Sequence, residues 1–446
     1  MNLQNARSNM NPIATMSEMK QPTSPREAID AVRAQVQVVA TQTLPLAQCH
    51  GRVLAQAIHA DRDSPALDVS AMDGFAVCMR DLSVMESENG LPVYAIVGDG
   101  DVDSGGTPKS KSEAIIGHAP VAMRVGHAVR IVTGAPIPIG ADVVVRHEDV
   151  VATNGGVRLM MQASNIKSGA NIRRRGENAQ CGHEITRVGV VIGAAIIGAL
   201  ASFGVSQVVV HKRVRVALVT TGDELVDAQE QAQAWQVRDS NGPVLESLLG
   251  AHAWIEIVLR THARDNANEL AATLTNAMEA ADAVILTGGV SMGHKDFVPH
   301  VVTELGARTI FHKLPQRPGR PMLAAVRPAV GATTPRMILG LPGNPVSVMV
   351  TARRLGIEML GVLAGVGAGH FAAHAREVSN PDNATLPLWW HRLVGERVNA
   401  NGNSELYLLS SKGSGDIAAA ASSVGFVEVP PDQHTTGAHN FYAWMH

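Results

Sequence analysis

Between residues 209 and 365 the chain alternates strand-like and helix-like segments, and no other feature restricts the fold as much. "VRVALVTT" (214–221), "WIEIVL" (254–259) and "AVILT" (283–287) are short runs of β-branched and aliphatic residues, the pattern of strands covered on both faces. Pro243 is expected to open a helix with Val244, Leu245, Leu248 and Leu249 on one side. Asn266 caps another, with Glu269 three residues on and Leu270, Leu274, Ala277 and Met278 on its buried face. "FVPHVVTEL" (297–305) runs to Gly306, a helix stop, before "RTIFHK", "MLAAV" and "MILGL". Strands alternating with helices predict an α/β unit built on a mostly parallel sheet.

The flanking regions read differently. Ser24-Pro25-Arg26-Glu27 is a capping box, with Ala28, Ile29 and Val32 as the apolar stripe of the helix it starts. From 61 to 178 strands and tight turns dominate, and 141–161 reads as a hairpin turning at "TNGG" because Asn-Gly tolerates positive φ. After 366, "LWWHRLVGERV", "SELYLL" and "GFVEVP" predict a small β domain around an alanine-rich helix. The fold class is therefore α/β plus β, in a multidomain chain.

At 446 residues the chain is too long for one core, and two to four domains are expected. A net charge of −3 gives no broad field for nucleic acid or membrane. Cys49, Cys78 and Cys181 lack any CxxC spacing, which argues against a disulfide framework or zinc knuckle and for a reducing, cytoplasmic setting. Residues 1–23 read as a disordered polar leader. The uncharged stretch 188–205 carries four glycines and four alanines, so it is expected to be a buried helix with its approach strand rather than a membrane span.

Three strands end in special chemistry: "TTGDEL" (220–225), "TGGVSMGHKD" (287–296) and "LPGNPVS" (341–347). In open α/β sheets ligands bind beyond the carboxyl ends of the strands. Gly222, Gly288 and Gly289 clear room there, and main-chain amides near helix starts can hold phosphate. Asn344 is placed as a cap with Pro345 as first helical residue. Glu224 and Asp296 would share that edge, with Asp239 close by; caps are the plain alternative for Asp239 and Asp223. Carboxylates beside anion-holding amides suit Mg²⁺, with Glu224 and Asp296 as ligands. Lys313, Arg317 and Arg320 sit in a proline-stiffened loop, and Arg173, Arg174 and Arg175 form a second cationic run. HExxH and Walker motifs are absent from the sequence, which removes the commonest metalloprotease and P-loop readings.

Taken in order, "SAMDGFAV" (70–77), "VTGAPIPIGADVVV" (132–145), "NIRRRGE" (171–177), "TTGDEL", "GGVSMGHKD", "KLPQRPGRP" (313–321) and "LPGNPVS" resemble the molybdopterin molybdenumtransferase family, MoeA and the gephyrin E domain. The resemblance implies an elongated, dimerising subunit of four domains: 24–60 with 179–208, a β-rich 61–178, an α/β molybdopterin-binding 209–365 and a barrel-like 366–446. It implies Mg²⁺-dependent insertion of molybdate into adenylylated molybdopterin with release of AMP. It also implies contact with the adenylyltransferase and with molybdoenzyme chaperones, and neither nucleic acid nor membrane as partner. By position, Asp73, Thr133 and Glu177 would approach from the partner subunit, while Glu224, Asp239 and Asp296 act in the α/β domain. Gly222, Ser240, Gly288, Gly289, Ser291, Gly293, Lys313, Gly343 and Asn344 would hold the pterin compound. Arg317, Arg320, Pro321 and Ser347 would line the molybdate pocket, with Arg392 and Ser414 from the last domain.

The sequence departs from the family pattern at Asn178, where Asp is usual, at Arg320 in place of Lys, and at Phe75 in place of Tyr. The alternatives are the related adenylyltransferase step, which would need only the α/β part, and a pterin-binding scaffold weakened by Asn178.

Overall fold

The computed structural model describes residues 21–83, 87–88, 91–96, 113–114, 119–120, 122–153, 156–291, 296–329, 331, 334–379, 384–399 and 401–444. They form two compact units. One comprises Met1–Gln56, Arg187–Gly198 and Val205–His446; the other comprises Ala57–Thr186 and Ala199–Gly204. Residues 1–20 of the expected leader, and Gly293, lie outside the described residues.

Helix α1 (Pro25–Arg33) begins where the capping box puts it. Ser24 Oγ accepts from the Glu27 N–H at 3.1 Å, and the Glu27 carboxylate reaches back to the Thr23 N–H at 2.8 Å. Its buried Ala28, Ile29 and Val32 join a core with Val214, Trp254 and Leu360. The uncharged stretch forms α2 (Ala194–Ser202), but the expected burial is not found: Leu200 is its only buried residue. Its small residues Ala194, Ala195, Gly198, Ala201 and Ser202 form the exposed face, while Ile196, Ile197 and Ala199 are half-buried.

In the β-rich unit, Gly74–Val77 lies between His127–Ile131 and Val143–Arg146, around Phe75, Val77, Tyr94 and Val145. The expected 141–161 hairpin is shorter than read. Val150–Thr153 pairs with Gly156–Leu159 around a turn at 154–155 that lies outside the described residues, while Val143–Arg146 pairs with Gly74–Val77 instead. The interruption is a single 3₁₀ turn at His147–Asp149.

The α/β sheet contains β1 (Val214–Thr221), β2 (Ile255–Ala263), β3 (Ala283–Thr287), β4 (Arg308–His312), β6 (Leu323–Arg327) and β7 (Arg336–Leu341), in the order β2-β1-β3-β7-β6-β4. The first four run parallel; β6 alone runs against them, so it pairs antiparallel with both β7 and the edge strand β4. The reason is visible in the chain: no helix separates β4, β6 and β7, so these strands connect without the crossover that parallel pairing needs. Helices α3 (Asn241–Gly250), α4 (Ala267–Ala280) and α5 (Val298–Glu304) lie between the parallel strands. Helix α3 starts two residues before Pro243, because the Asp239 carboxylate already accepts the Gly242 N–H at 3.0 Å.

Beyond β7, α6 (Pro345–Thr351) runs through a π-helical turn at Ala352–Gly356 into α7 (Ile357–Leu363). The C-terminal strands β8 (His374–Ser379), β9 (Trp389–Val398), β10 (Ser404–Leu408), β11 (Gly425–Val429) and β12 (Gly437–Ala443) close into a ring, because β9 pairs with both β10 and β11. The short strand β5 (Gln316–Arg317) pairs onto β9, and α8 (Ile417–Ala421) packs near α6. Among the described residues no helix is long and apolar enough to cross a membrane.

Where α6–α7 meets the ring, Arg354 is buried with its Nε 2.7 Å from Glu428 Oε2. His391 Nε2 lies 3.2 Å from the same oxygen, and Glu358 Oε2 lies 3.4 Å from Arg354 Nη1. Burial alone would raise the Glu428 carboxyl, yet the His391 hydrogen bond and the Arg354 charge outweigh it and bring it to about 2.

Candidate active site

The three special strand ends fall side by side because β1, β3 and β7 are neighbours whose tips are level: Thr220 pairs with Thr287, and Thr287 with Leu341. A cleft of ≈ 510 Å³ opens there, lined by Gly222, Glu224, Gly288, Gly289, Ser291, Asp296, Pro321, Gly343 and Asn344. Glycine is required at its floor. Gly288 has φ +91°, and a Cβ there would stand 2.5 Å from Thr221 Oγ1. Gly222 lies beneath the Glu224 carboxylate, where a Cβ would come within 2.8 Å of Oε1.

The amides of these two glycines are engaged within the sheet, and the amides expected to hold phosphate are those beyond them. Gly222 N–H donates to Ala263 O and Gly288 N–H to Leu341 O, so both stitch the sheet edge and leave no donor for an anion. Asp239 does not line the cleft either. Its oxygens take the Gly242 N–H and, at 3.2 Å, Arg260 Nη2, so the capping role prevails, with Ser240 behind it at the helix N-cap. Asp223 accepts the Asp265 N–H at 3.2 Å, in a loop rather than at a helix start.

Sequence reasoning missed Asn241. Its Nδ2 donates to Gly343 O at 2.8 Å, which fixes the amide orientation and leaves Oδ1 buried at the cleft with no hydrogen-bond partner among the described residues. A ring N–H in the cleft would satisfy that acceptor. Mg²⁺ also fits. Glu224 and Asp296 bring carboxylate oxygens to one cleft, and among the described residues no group of three His, Cys, Asp or Glu makes a closed cage. One or two carboxylates plus water and substrate phosphate is the coordination Mg²⁺ prefers.

A second cleft of ≈ 710 Å³ adjoins the first, with Pro321, Pro342 and Asn344 on both walls. Arg317, Arg320 and Ser347 line it from the α/β side, and Arg392, Lys412 and Ser414 from the ring. Ser414 docks on the start of α6: its Oγ accepts from Asn344 Nδ2 at 2.9 Å and its carbonyl from the Val346 N–H at 3.0 Å. Asn344 thus holds the N-cap position, but its side chain bridges to Ser414 instead of capping. Lys313 lies outside both clefts; it has φ +73°, and its N–H donates to Met322 O. Lys412, Trp390 and His391 also line the second cleft and carried no sequence signal beyond the serine-glycine loop and the tryptophan pair.

The remaining expected residues belong to the β-rich unit. Asp73 Oδ1 accepts the Thr133 N–H and Oγ1–H, both at 2.7 Å, and these bonds hold its carboxyl below the ordinary range. Glu177 Oε2 accepts the Arg174 N–H at 2.9 Å. The triple arginine is not a bare cationic patch. Arg174 pairs with Asp68 at 2.6 Å, Arg175 with Asp63 at 2.5 Å, and Arg173 lies 3.5 Å from Glu177. Those aspartates, ~100 positions away in sequence, could not be matched to the arginines by local reading. Asn178 accepts from Arg173 and contacts Ser64 Oγ at 3.4 Å.

Residues 23–204 match the MoeA N-terminal region (domain I and II), and residues 217–361 match the probable molybdopterin binding domain. A molybdopterin molybdenumtransferase of Nostoc sp. is 33% identical over 74% of this chain and 71% of its own length. The chain belongs to the molybdopterin molybdenumtransferase (MoeA) family. A second relative, the Synechococcus elongatus molybdopterin molybdenumtransferase, is 33% identical over 73% of this chain and 76% of its own. The solved structure of the molybdopterin biosynthesis moeA protein from Pyrococcus horikoshii OT3 shares the fold. Its TM-score is 0.73 at 22% identity, covering 94% of this chain and 99% of the other. As a MoeA-family chain, the protein belongs to molybdenum cofactor biosynthesis, and its multidomain α/β and β-rich architecture is that of the family.

Proposed function

We propose that the chain is an Mg²⁺-dependent molybdenum insertase. It takes adenylylated molybdopterin and molybdate, releases AMP and places molybdenum on the dithiolene sulfurs. The observation that carries this reading is the shared wall between the clefts: an oxyanion bound by Arg317, Arg320 and Arg392 would stand directly beside whatever occupies the carboxylate cleft. Two anions must meet for the reaction, and those guanidiniums screen their repulsion. Glu224 and Asp296 would hold Mg²⁺, which supplies Lewis-acid polarisation of the phosphoanhydride. Asn241 Oδ1 orients the pterin by accepting a ring N–H. The dithiolene sulfurs come with the substrate, so the chain needs no cysteine cluster for the metal.

The reading includes a cytoplasmic homodimer. Helix α2 is uncharged and leaves one face of small residues, Ala194, Ala195, Gly198, Ala201 and Ser202, exposed, as a surface meeting a second copy would be. The partner subunit's Asp73, Thr133 and Glu177 would complete the site.

Purified protein incubated with adenylylated molybdopterin, Mg²⁺ and molybdate should release AMP only when molybdate is present. Asp296→Ala should lower that rate roughly hundredfold without unfolding the chain. ATP consumption by unadenylylated pterin would point instead to the adenylyltransferase step. Tight pterin binding without AMP release would point to a binding module, and a large gain on Asn178→Asp would locate the weakness.

A further inference from the structure

Among the described residues the first cleft is lined by no aromatic ring, yet one stands at its rim. Val237 is part of the lining, and its N–H donates to Glu224 O at 2.9 Å. Leu225 and Val226 pair with Val237 and Arg238 in parallel register. Trp235 lies two residues earlier on that edge, its Cα within about 7 Å of Val237. Its side chain is turned out to solvent: Trp235 is 75% exposed and Val237 57%. Trp254, by contrast, is buried, and Trp389, Trp390 and Trp444 are half-buried. The indole of Trp235 meets no ring, cation or hydrogen-bond partner among the described residues. The segment that carries it is nevertheless pinned. Gln236 N–H donates to Gln233 O and the Gln236 side chain accepts the Gln233 N–H, both at 3.0 Å, while Arg238 Nε donates to Glu230 O at 3.0 Å.

We propose that Trp235 is the base-stacking residue of a nucleotide subsite, its indole face receiving the adenine of the adenylylated substrate and of the AMP that leaves. The inference rests on the insertase reading of the first cleft. That substrate carries a flat ring at each end of its phosphoanhydride. Asn241 Oδ1 would serve the pterin, and the Glu224 and Asp296 carboxylates stand where the phosphates would lie. Trp235, Val237 and Asn241 follow one another along the chain, with the Glu224 carbonyl tied to Val237 between the two ring sites. An indole offers a nucleobase a large apolar face, and a stack of this kind is worth roughly tenfold in affinity per base. Stacking reads the π-face alone, so guanine should be accepted in place of adenine. The contact is the same before and after the anhydride is cleaved, so its loss falls on KM and leaves kcat largely alone.

The test compares full-length wild type, Trp235→Ala and Trp235→Phe with AMP, GMP and ribose 5-phosphate as probes, each in the presence of Mg²⁺. The readouts are equilibrium dialysis, tryptophan emission, thermal unfolding, and KM and kcat for molybdate-dependent AMP release from adenylylated molybdopterin. Trp235→Ala should weaken AMP and GMP about tenfold and raise the KM for the adenylylated substrate by a similar factor, with kcat within about twofold. Its ribose 5-phosphate binding and unfolding temperature should match wild type, because the ring supports nothing else in the fold. Trp235→Phe, which keeps an aromatic face, should recover most of the loss. AMP should change the emission of wild type but much less that of Trp235→Phe.

Equal AMP affinity in wild type and Trp235→Ala would overturn the subsite. So would a loss that ribose 5-phosphate shares, a loss that Trp235→Phe does not repair, or a wild type that holds AMP no better than ribose 5-phosphate. A wild type that releases no AMP from the adenylylated substrate would overturn the insertase reading; if it still bound AMP through Trp235, the base-stacking subsite would stand without it.

Discussion

Glu428 shows how one residue couples the ring to the α/β unit. It is 3% exposed, and both of its oxygens face Arg354, with His391 on one side and the Tyr442 hydroxyl on the other. Glu358 also touches Arg354, but its carboxyl moves up, because burial there outweighs the Arg354 charge. Glu428 is therefore the counter-ion that Arg354 depends on. Its folded pKa is depressed, so its stabilisation is fully present above the unfolded value and is lost as pH falls toward about 2. Acid should accordingly weaken the chain progressively below about pH 4.5, the unfolded carboxylate range. Glu428→Gln leaves Arg354 buried with its main counter-charge gone and should cost about 3–5 kcal/mol at neutral pH. Chemical denaturation from pH 7 to pH 3 checks both statements. If Glu428→Gln were as stable as wild type at pH 7, or lost stability on acidification as steeply as wild type, this residue would not be the acid-sensitive contact.

Among the elements, the loop that carries Arg317 and Arg320 from β5 toward β6 is tightly constrained beside the second cleft. Gly319 has φ +94°, and a Cβ there would collide with Thr351 Cγ2 on α6. Gln316 Nε2 closes the loop from below by donating to Gly319 O at 3.0 Å. Gly319→Ala must therefore move the loop away from α6, at a cost of about 1–3 kcal/mol, and carry both arginines with it. Molybdate affinity should fall by more than that stability loss alone explains, as calorimetry and dialysis on the same preparations would show. A variant with wild-type affinity would mean that the arginines do not depend on the loop's path. The sequence announced this loop through its prolines and glycine, and likewise the three strand tips, because backbone chemistry is written locally. It did not announce Asn241, Lys412 or the partners of Arg174 and Arg175, because those depend on pairings between distant segments. Asp239 misled for a related reason: a carboxylate just ahead of a helix looks alike whether it faces a ligand or caps the turn.

At the scale of the whole molecule, α2 is the place to test the proposed dimer. Ala194, Ala195, Gly198, Ala201 and Ser202 are all exposed, and their spacing puts them on one face of the helix. A bare face of small residues gains nothing from water but lets a second backbone approach closely. Gly198 offers a clean test, because a Cβ there meets nothing within 4 Å. Gly198→Glu should leave the folded chain intact and even favour the helix by several tenths of a kcal/mol, since glycine is a poor helix former. A charge on that face would nevertheless oppose a second copy pressed against it. Light scattering should find wild type at twice the 47.0 kDa chain mass and the variant at that mass. Because both clefts lie within one compact unit, the variant should still bind molybdate. AMP release should fall sharply, since the partner subunit's Asp73, Thr133 and Glu177 would no longer reach the substrate. A monomeric variant with full turnover would show that the two clefts of a single chain are enough.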